Sequence, residues 1–223
     1  TINIKGQLLS LDEPQVMGIL NVTPDSFYAG SRKQTEAAII DRIETILREG
    51  ASIIDVGGYS SRPDAAEVSE TEEMQRLEMA LQPLLQHYPD VVVSVDTFRS
   101  SVARQCVEKY GVAMINDISG GELDERMFDT VAQLRVPYIM MHMRGTPQTM
   151  QQQTDYEDVT ADLLKYFSQK LERLFRLGVN DVILDPGFGF SKTLTQNYEL
   201  MRHLGDFRIF GLPLFCLLYT SPS

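Results

Sequence analysis

Short apolar runs alternate with longer amphipathic ones along this chain. The apolar runs fall at residues 16–20, 53–56, 91–95, 112–115, 138–141 and 182–184, with a last one near 212–215. Most are solidly apolar rather than alternating, the pattern of parallel strands covered on both faces. Between them the spacing becomes helical. Ile39, Ile43, Ile46 and Leu47 share one face of a run that Gly50 ends as a C-cap would. Residues 70–86 carry Met74, Leu77, Leu81 and Leu84 as a stripe, and Pro83 inside that run predicts a kink or an early end. The charges between Glu67 and Arg76 read as a solvated helix start. The longest run, 157–177, lines Val159, Leu163, Phe167, Leu171 and Leu174 along one face before Gly178 stops it. The repeating unit is βα, six times over, with a seventh strand begun.

Regular βα alternation fits either a doubly wound open sheet or a (β/α)8 barrel. The two differ in where polar residues gather. An open sheet binds ligands at one switch point, whereas a barrel collects residues from the C-terminal ends of many strands. Here the strand ends read "ILNVTPDSF", "IIDVGGYSSRP", "VVVSVDT", "MINDISGG", "IMMHMRG" and "ILDPGFGF". Each carries a carboxylate, carboxamide or imidazole at the same structural level. That favours the (β/α)8 TIM barrel, incomplete here, with about six βα units plus strand seven and no strand eight.

Composition narrows the partners. At 43% hydrophobic and 23% charged residues the chain is ordinary globular material. Its net charge of -11 repels nucleic acid and anionic membrane, because phosphate neutralisation carries most nucleic-acid affinity. Two cysteines far apart, Cys106 and Cys216, give neither a disulfide framework nor a zinc spacing, which fits a reducing cytoplasm. No apolar run reaches the roughly 18 residues of a membrane span.

A strand-end carboxylate is often only the N-cap of the next helix. Asp96 and Asp185, with Asn116 between them, support a stronger reading. Two carboxylates and a carboxamide converging on one pocket suit a flat heterocycle with several N–H donors. Asn, Asp and Ser in "NVTPDSF" supply hard oxygens suited to Mg²⁺ beside a phosphate. Arg62 in "GGYSSRP" suits bidentate recognition of an anion. His142, between two methionines and without a Ser or Cys nucleophile motif, reads as a packed residue rather than a catalyst. Lys192 lacks the GxxxxGK spacing of a phosphate loop.

Taken together, "GILNVTPDSF", "IIDVGG" followed by "SRP", "SVDT", "INDISGG", "MHMRGTPQTMQ" and "LDPGFGF" closely resemble the bacterial dihydropteroate synthase family, from about Val16 to Leu214. The resemblance implies a (β/α)8 barrel that condenses 6-hydroxymethyl-7,8-dihydropterin diphosphate with 4-aminobenzoate, releasing diphosphate with Mg²⁺ present. It implies that Asn21 is the metal-associated asparagine. Asp96, Asn116 and Asp185 would hold the pterin, and Met141 would line the same pocket. Ser61 stands where the family usually has threonine, and Arg62 matches its loop arginine. Phe188 and Phe190 match aromatics near the aminobenzoate. Tyr59 replaces an acid, since the family commonly has "GGEST" where this chain has "GGYSS". A cytoplasmic enzyme of small-molecule substrates, homodimeric at full length, is the implied setting. The rival within the fold is a pterin-dependent methyltransferase, which has no diphosphate to hold; a non-catalytic pterin-binding protein is the rival of another class.

Two expectations concern segments rather than residues. Stretches 22–33 and 58–68, rich in Gly, Ser, Pro and Asp, are expected to order and close over bound ligand. The ending "CLLYTSPS" resembles one reading frame of a transposase-type sequencing adapter. Residues 1–215 are therefore expected to form the barrel domain and 216–223 a non-native tail. Alone, such a chain is expected to be insoluble or inactive.

Overall fold

The structure, a computed structural model, describes residues 1–22, 32–60 and 68–217. It opens on an antiparallel hairpin of β1 (Ile2–Ile4) and β2 (Gln7–Leu9). The turn residues Lys5 and Gly6 both have positive φ, 51° and 86°, as tight two-residue hairpin turns require. The apolar pattern does not predict this hairpin, because three-residue strands are too short to show a period.

Six parallel strands follow: β3 (Met17–Asn21), β4 (Ile53–Gly57), β5 (Val92–Asp96), β6 (Met114–Asp117), β7 (Tyr138–Met141) and β8 (Val182–Asp185). They lie side by side in chain order. A doubly wound sheet reverses its order at a switch point, and this one never does, so the winding is that of a barrel. Most strands run a residue or two past their apolar stretch. The ladder therefore takes in Asn21, Gly57, Asp96, Asn116 and Asp185. Beyond β8, Leu214 forms a parallel bridge with Leu184, Leu184 N donates to Pro213 O at 2.9 Å, and Phe215 N donates to Leu184 O at 2.8 Å. The strand expected near 212–215 is present as that single bridge. Residues 218–223 lie outside the described residues.

The helices are α1 (Arg32–Arg48), α2 (Glu70–His87), α3 (Ser100–Tyr110), α4 (Met127–Leu134), α5 (Val159–Arg176) and α6 (Leu194–Arg202). Ser69 caps α2 by accepting from Glu72 N, and Asp158 caps α5 by accepting from Ala161 N. Pro83 does not end α2, which runs on to His87. Leu77, Leu81 and Leu84 on either side of it are fully buried. At about 1.5–3 kcal/mol per buried side chain, they outweigh the missing N–H. The start of α2 is a solvated face only in part: Glu70, Thr71 and Glu72 are exposed, but two charges turn inward. Glu73 is fully buried, where it accepts from Thr97 Oγ1 at 2.6 Å and pairs with Arg99. Arg76 is also buried, and donates to Gly58 O at 3.2 Å and Glu72 Oε1 at 2.6 Å. Among the described residues no helix is long and apolar enough to cross a membrane.

Each strand sends alternate side chains to opposite faces. Leu20, Ile54, Val56, Val93, Val95 and Leu184 face the helices, in one large core with Ile43, Leu77, Val102 and Phe167. The other face forms the interior. There Met114, Ile139 and Ile183 pack with Ile2 from the hairpin as a separate apolar cluster.

Candidate active site at the strand ends

The interior face changes character toward the C-terminal ends of the strands. Strand register aligns Asn21 with Gly57, Gly57 with Asp96, and Asp96 with Asn116, one unbroken line across β3–β6. The line continues through Ile139 and Ile183. Two residues further along those strands, on the same face, Met141 pairs with Asp185. The polar positions thus climb around the sheet as strand stagger dictates. Asn116 and Asp185 are buried, Asp96 is partly buried, and Asn21 is exposed at the rim.

Gly57 is the notch in this line. A Cβ there would lie 3.0 Å from Asn21 Oδ1 and 3.7 Å from Asp96 Oδ2. Its absence leaves space flanked by a carboxamide and a carboxylate oxygen. Below it, Asn116 Nδ2 donates to Asp55 Oδ2 at 2.9 Å. The carboxyls are crowded into a poorly solvated space. Burial first, then the neighbouring charges of Asp55, Glu73 and Asp117, pushes Asp96 well above the usual carboxylate range. Burial raises Asp185 to about 7, opposed by the Gly187 N–H and by Lys192. Acids held this close to neutrality gain most from a ligand that brings N–H donors.

The loop after β8 is built around a lysine that the sequence reading passes over. Lys192 is buried, and its Nζ donates to Gly187 O at 3.0 Å, Phe190 O at 2.9 Å and His142 O at 3.3 Å. It also lies 3.1 Å from His142 Nδ1. Burial lowers Lys192 to about 7 and His142 to about 2, so the imidazole is neutral. His142 is indeed packed, edge-on to Tyr166 with ring centroids 4.7 Å apart. Gly187 N donates to Asp185 Oδ1 at 2.8 Å and so fixes the carboxylate. Its φ is 68°, and a Cβ there would sit 2.3 Å from His142 O, so only glycine fits.

The two phenylalanines of this loop part company. Phe190 packs against Ile118, Met141, Met143 and Met150, an apolar wall beside the strand-end acids. Phe188 packs against the large helix-side core. Across the mouth, Tyr59 meets Phe98 edge-on with centroids 5.2 Å apart, and its OH accepts from Gln148 Nε2 at 3.3 Å. Ser61 and Arg62 lie outside the described residues, as does most of stretches 22–33 and 58–68. The structure therefore brings together Asn21, Asp96, Asn116, Met141, Asp185 and Phe190, and adds Asp55, Gly57 and Lys192. Asp55 stands in the quoted "IIDVGG", but its partner lies 61 residues away and no local pattern links them.

Comparison with known proteins agrees with this geometry. Residues 17–218 match the family described as pterin binding enzyme. The dihydropteroate synthase of Escherichia coli strain K12 is 41% identical over 212 residues, covering 94% of this chain and 74% of that protein. The folic acid synthesis protein fol1 of Pneumocystis carinii is 44% identical over 199 residues, covering 86% of this chain but only 26% of that longer protein. The solved dihydropteroate synthase of Xanthomonas albilineans with 4-aminobenzoic acid superposes with a TM-score of 0.85 at 34% identity, covering 96% of this chain and 76% of that one. With a parallel barrel sheet, an acid-lined mouth and relatives of this kind, the chain belongs to the dihydropteroate synthase family of pterin-binding transferases.

Proposed function

We propose that this chain carries the chemistry of its family: attack of the 4-aminobenzoate nitrogen on the CH₂ of 6-hydroxymethyl-7,8-dihydropterin diphosphate. The new C–N bond replaces the C–O bond, diphosphate leaves, the amine proton passes to solvent, and 7,8-dihydropteroate remains. The observation that carries this reading is the convergence of Asp96, Asn116 and Asp185 on one interior face beside Met141 and Phe190. Two carboxylates and a carboxamide accept from the N–H edge of a pterin, and the methionines and Phe190 cover flat rings. An arylamine is already neutral at pH 7, so the amine needs no strong base. Asp96 and Asp185 lower the barrier by facing the positive charge that develops on the pterin as diphosphate departs.

Mg²⁺ fits this mouth as a partly hydrated ion. Among the described residues no trio of His, Cys, Asp or Glu is placed to cage a metal. The exposed Asn21 carboxamide beside the Gly57 notch supplies one hard oxygen. Mg²⁺ characteristically keeps waters and takes substrate phosphates as its other ligands. When bound, it would neutralise charge on the leaving diphosphate. Asn21 would be the residue of this chain that holds the ion. Ser61 and Arg62 are assigned to the diphosphate side, and Phe188 to the neighbourhood of the aminobenzoate, on the resemblance alone. A cytoplasmic setting and a full-length homodimer belong to the same reading.

The test is diphosphate release. With both substrates and Mg²⁺, wild-type enzyme should release one diphosphate per dihydropteroate formed, and Asp185→Asn should lose at least about tenfold in kcat/KM, the value of one charge-assisted contact. Pterin binding without any diphosphate release would instead favour a binding protein. The expectation that the 223-residue chain alone is inactive is tested in the same assay.

A further inference from the structure

Asp55 sits on β4, two residues before Gly57 and on the same interior face. Its register partners are Ile19 on one side and Ser94 on the other. Asp55 and Ser94 are buried side by side; burial raises the Asp55 carboxyl above its ordinary range, and the Ser94 hydroxyl and Asn116 oppose that rise. Asp55 Oδ2 is committed to Asn116 Nδ2 at 2.9 Å. This places a buried carboxyl one layer below the acids of the mouth.

A carboxamide has two unlike ends. One accepts, the other donates twice, and a half-turn of the side chain exchanges them. The Asp55 carboxyl beneath it takes the NH₂ end. The Oδ1 end of Asn116 is thereby directed away from Asp55. We propose that Asp55 is a positioning residue that locks the Asn116 carboxamide with its oxygen presented to the pterin. The floor of the pocket then presents the Asn116 oxygen between the Asp96 and Asp185 carboxyls, and selects the N–H-rich edge of the ring. Without Asp55, Asn116 could present its NH₂ end, and one of the three contacts would meet a donor with a donor. This deepens the assignment of the pocket to a pterin and rests on it.

The test is binding of 6-hydroxymethylpterin by calorimetry, which needs no turnover, to wild type and four variants, with circular dichroism reporting folding. Asp55→Asn keeps an acceptor toward Asn116 and can turn its own NH₂ toward Ser94 Oγ, so its affinity should stay within about threefold of wild type. Asp55→Leu has a similar shape but no acceptor, and should weaken binding about tenfold or more, the scale of one misdirected buried hydrogen bond. Asn116→Asp alone sets two carboxylates together and should also bind weakly. The swapped pair, Asp55→Asn with Asn116→Asp, restores a donor below and an acceptor above, and should recover binding to within about threefold. If Asp55→Leu does not fold, the swapped pair decides. Equal affinity of Asp55→Leu and wild type overturns the proposal, as does equal loss in Asp55→Asn and Asp55→Leu, or no recovery in the swapped pair. A wild-type chain that takes up no pterin at all overturns the pocket assignment itself.

Discussion

Three strands carry two kinds of interior residue only two positions apart. Met114, Ile139 and Ile183 pack with Ile2 and line a cavity of about 700 Å³ at the lower end of the interior. Asn116, Met141 and Asp185 point the same way one step further along β6, β7 and β8. Backbone, register and face are shared, and only the side chains differ. At the lower level the contacts between side chains are apolar and contribute stability. At the upper level the same geometry gathers acids whose charged forms are penalised by burial. A barrel separates folding from chemistry by height along its strands rather than by region of the chain.

The comparison breaks most severely if charge is moved downward. Met114→Asp puts an unpaired carboxylate into the apolar cluster and should cost about 3–5 kcal/mol or prevent folding; chemical denaturation reads the loss. Truncation at the same level should cost somewhat less. Ile139→Ala should lose about 2–4 kcal/mol of stability by leaving a cavity, while folded protein keeps wild-type pterin affinity. If pterin affinity falls as far as stability does, the two levels are not separate. The reverse change, Asp185→Asn, should weaken pterin binding at least tenfold, about 1.5–3 kcal/mol, without lowering stability.

The smallest effect follows from pH. Asp185 is raised from 3.8 to about 7 in the folded chain. Between those values the folded state holds more protons than the unfolded state, so this group makes stability fall as pH rises from about 4 to about 7. A neutral carboxamide at this position has no proton to lose and escapes that penalty. Asp185→Asn should therefore raise the melting temperature more at pH 7.5 than at pH 5, by at least the 2–4 °C that about 1 kcal/mol makes in a domain of this size. An equal shift at both pH values would show that Asp185 ionises normally.

The strands and the acids at their ends were legible because a parallel strand buried on both faces must be apolar throughout. A charge in such a run, as at Asp96 or Asp185, announces the level where the interior becomes a site. What was hidden depended on partners far away in the chain. Glu73 looked like surface charge because its partner, the half-buried Arg99, lies 26 residues on. Lys192 had no phosphate-loop spacing because its partner is a histidine 50 residues earlier. Pro83 read as a kink or an early end because local propensity was weighed without the buried leucines around it. Asp55 was visible only as part of a motif, since its purpose lies in the residue it faces.

Lys192 makes one more point about the loop after β8. An ammonium ringed by three carbonyl oxygens and an imidazole nitrogen is arranged much as a monovalent metal ion would be in a coordination cage. Here the cation is tethered to the chain. It cannot be dialysed away, competed off by other ions or lost on dilution. The loop that steadies Asp185 therefore brings its own counter-ion, and because burial lowers Lys192 to about 7, that charge answers to protons rather than to dissolved metal ions.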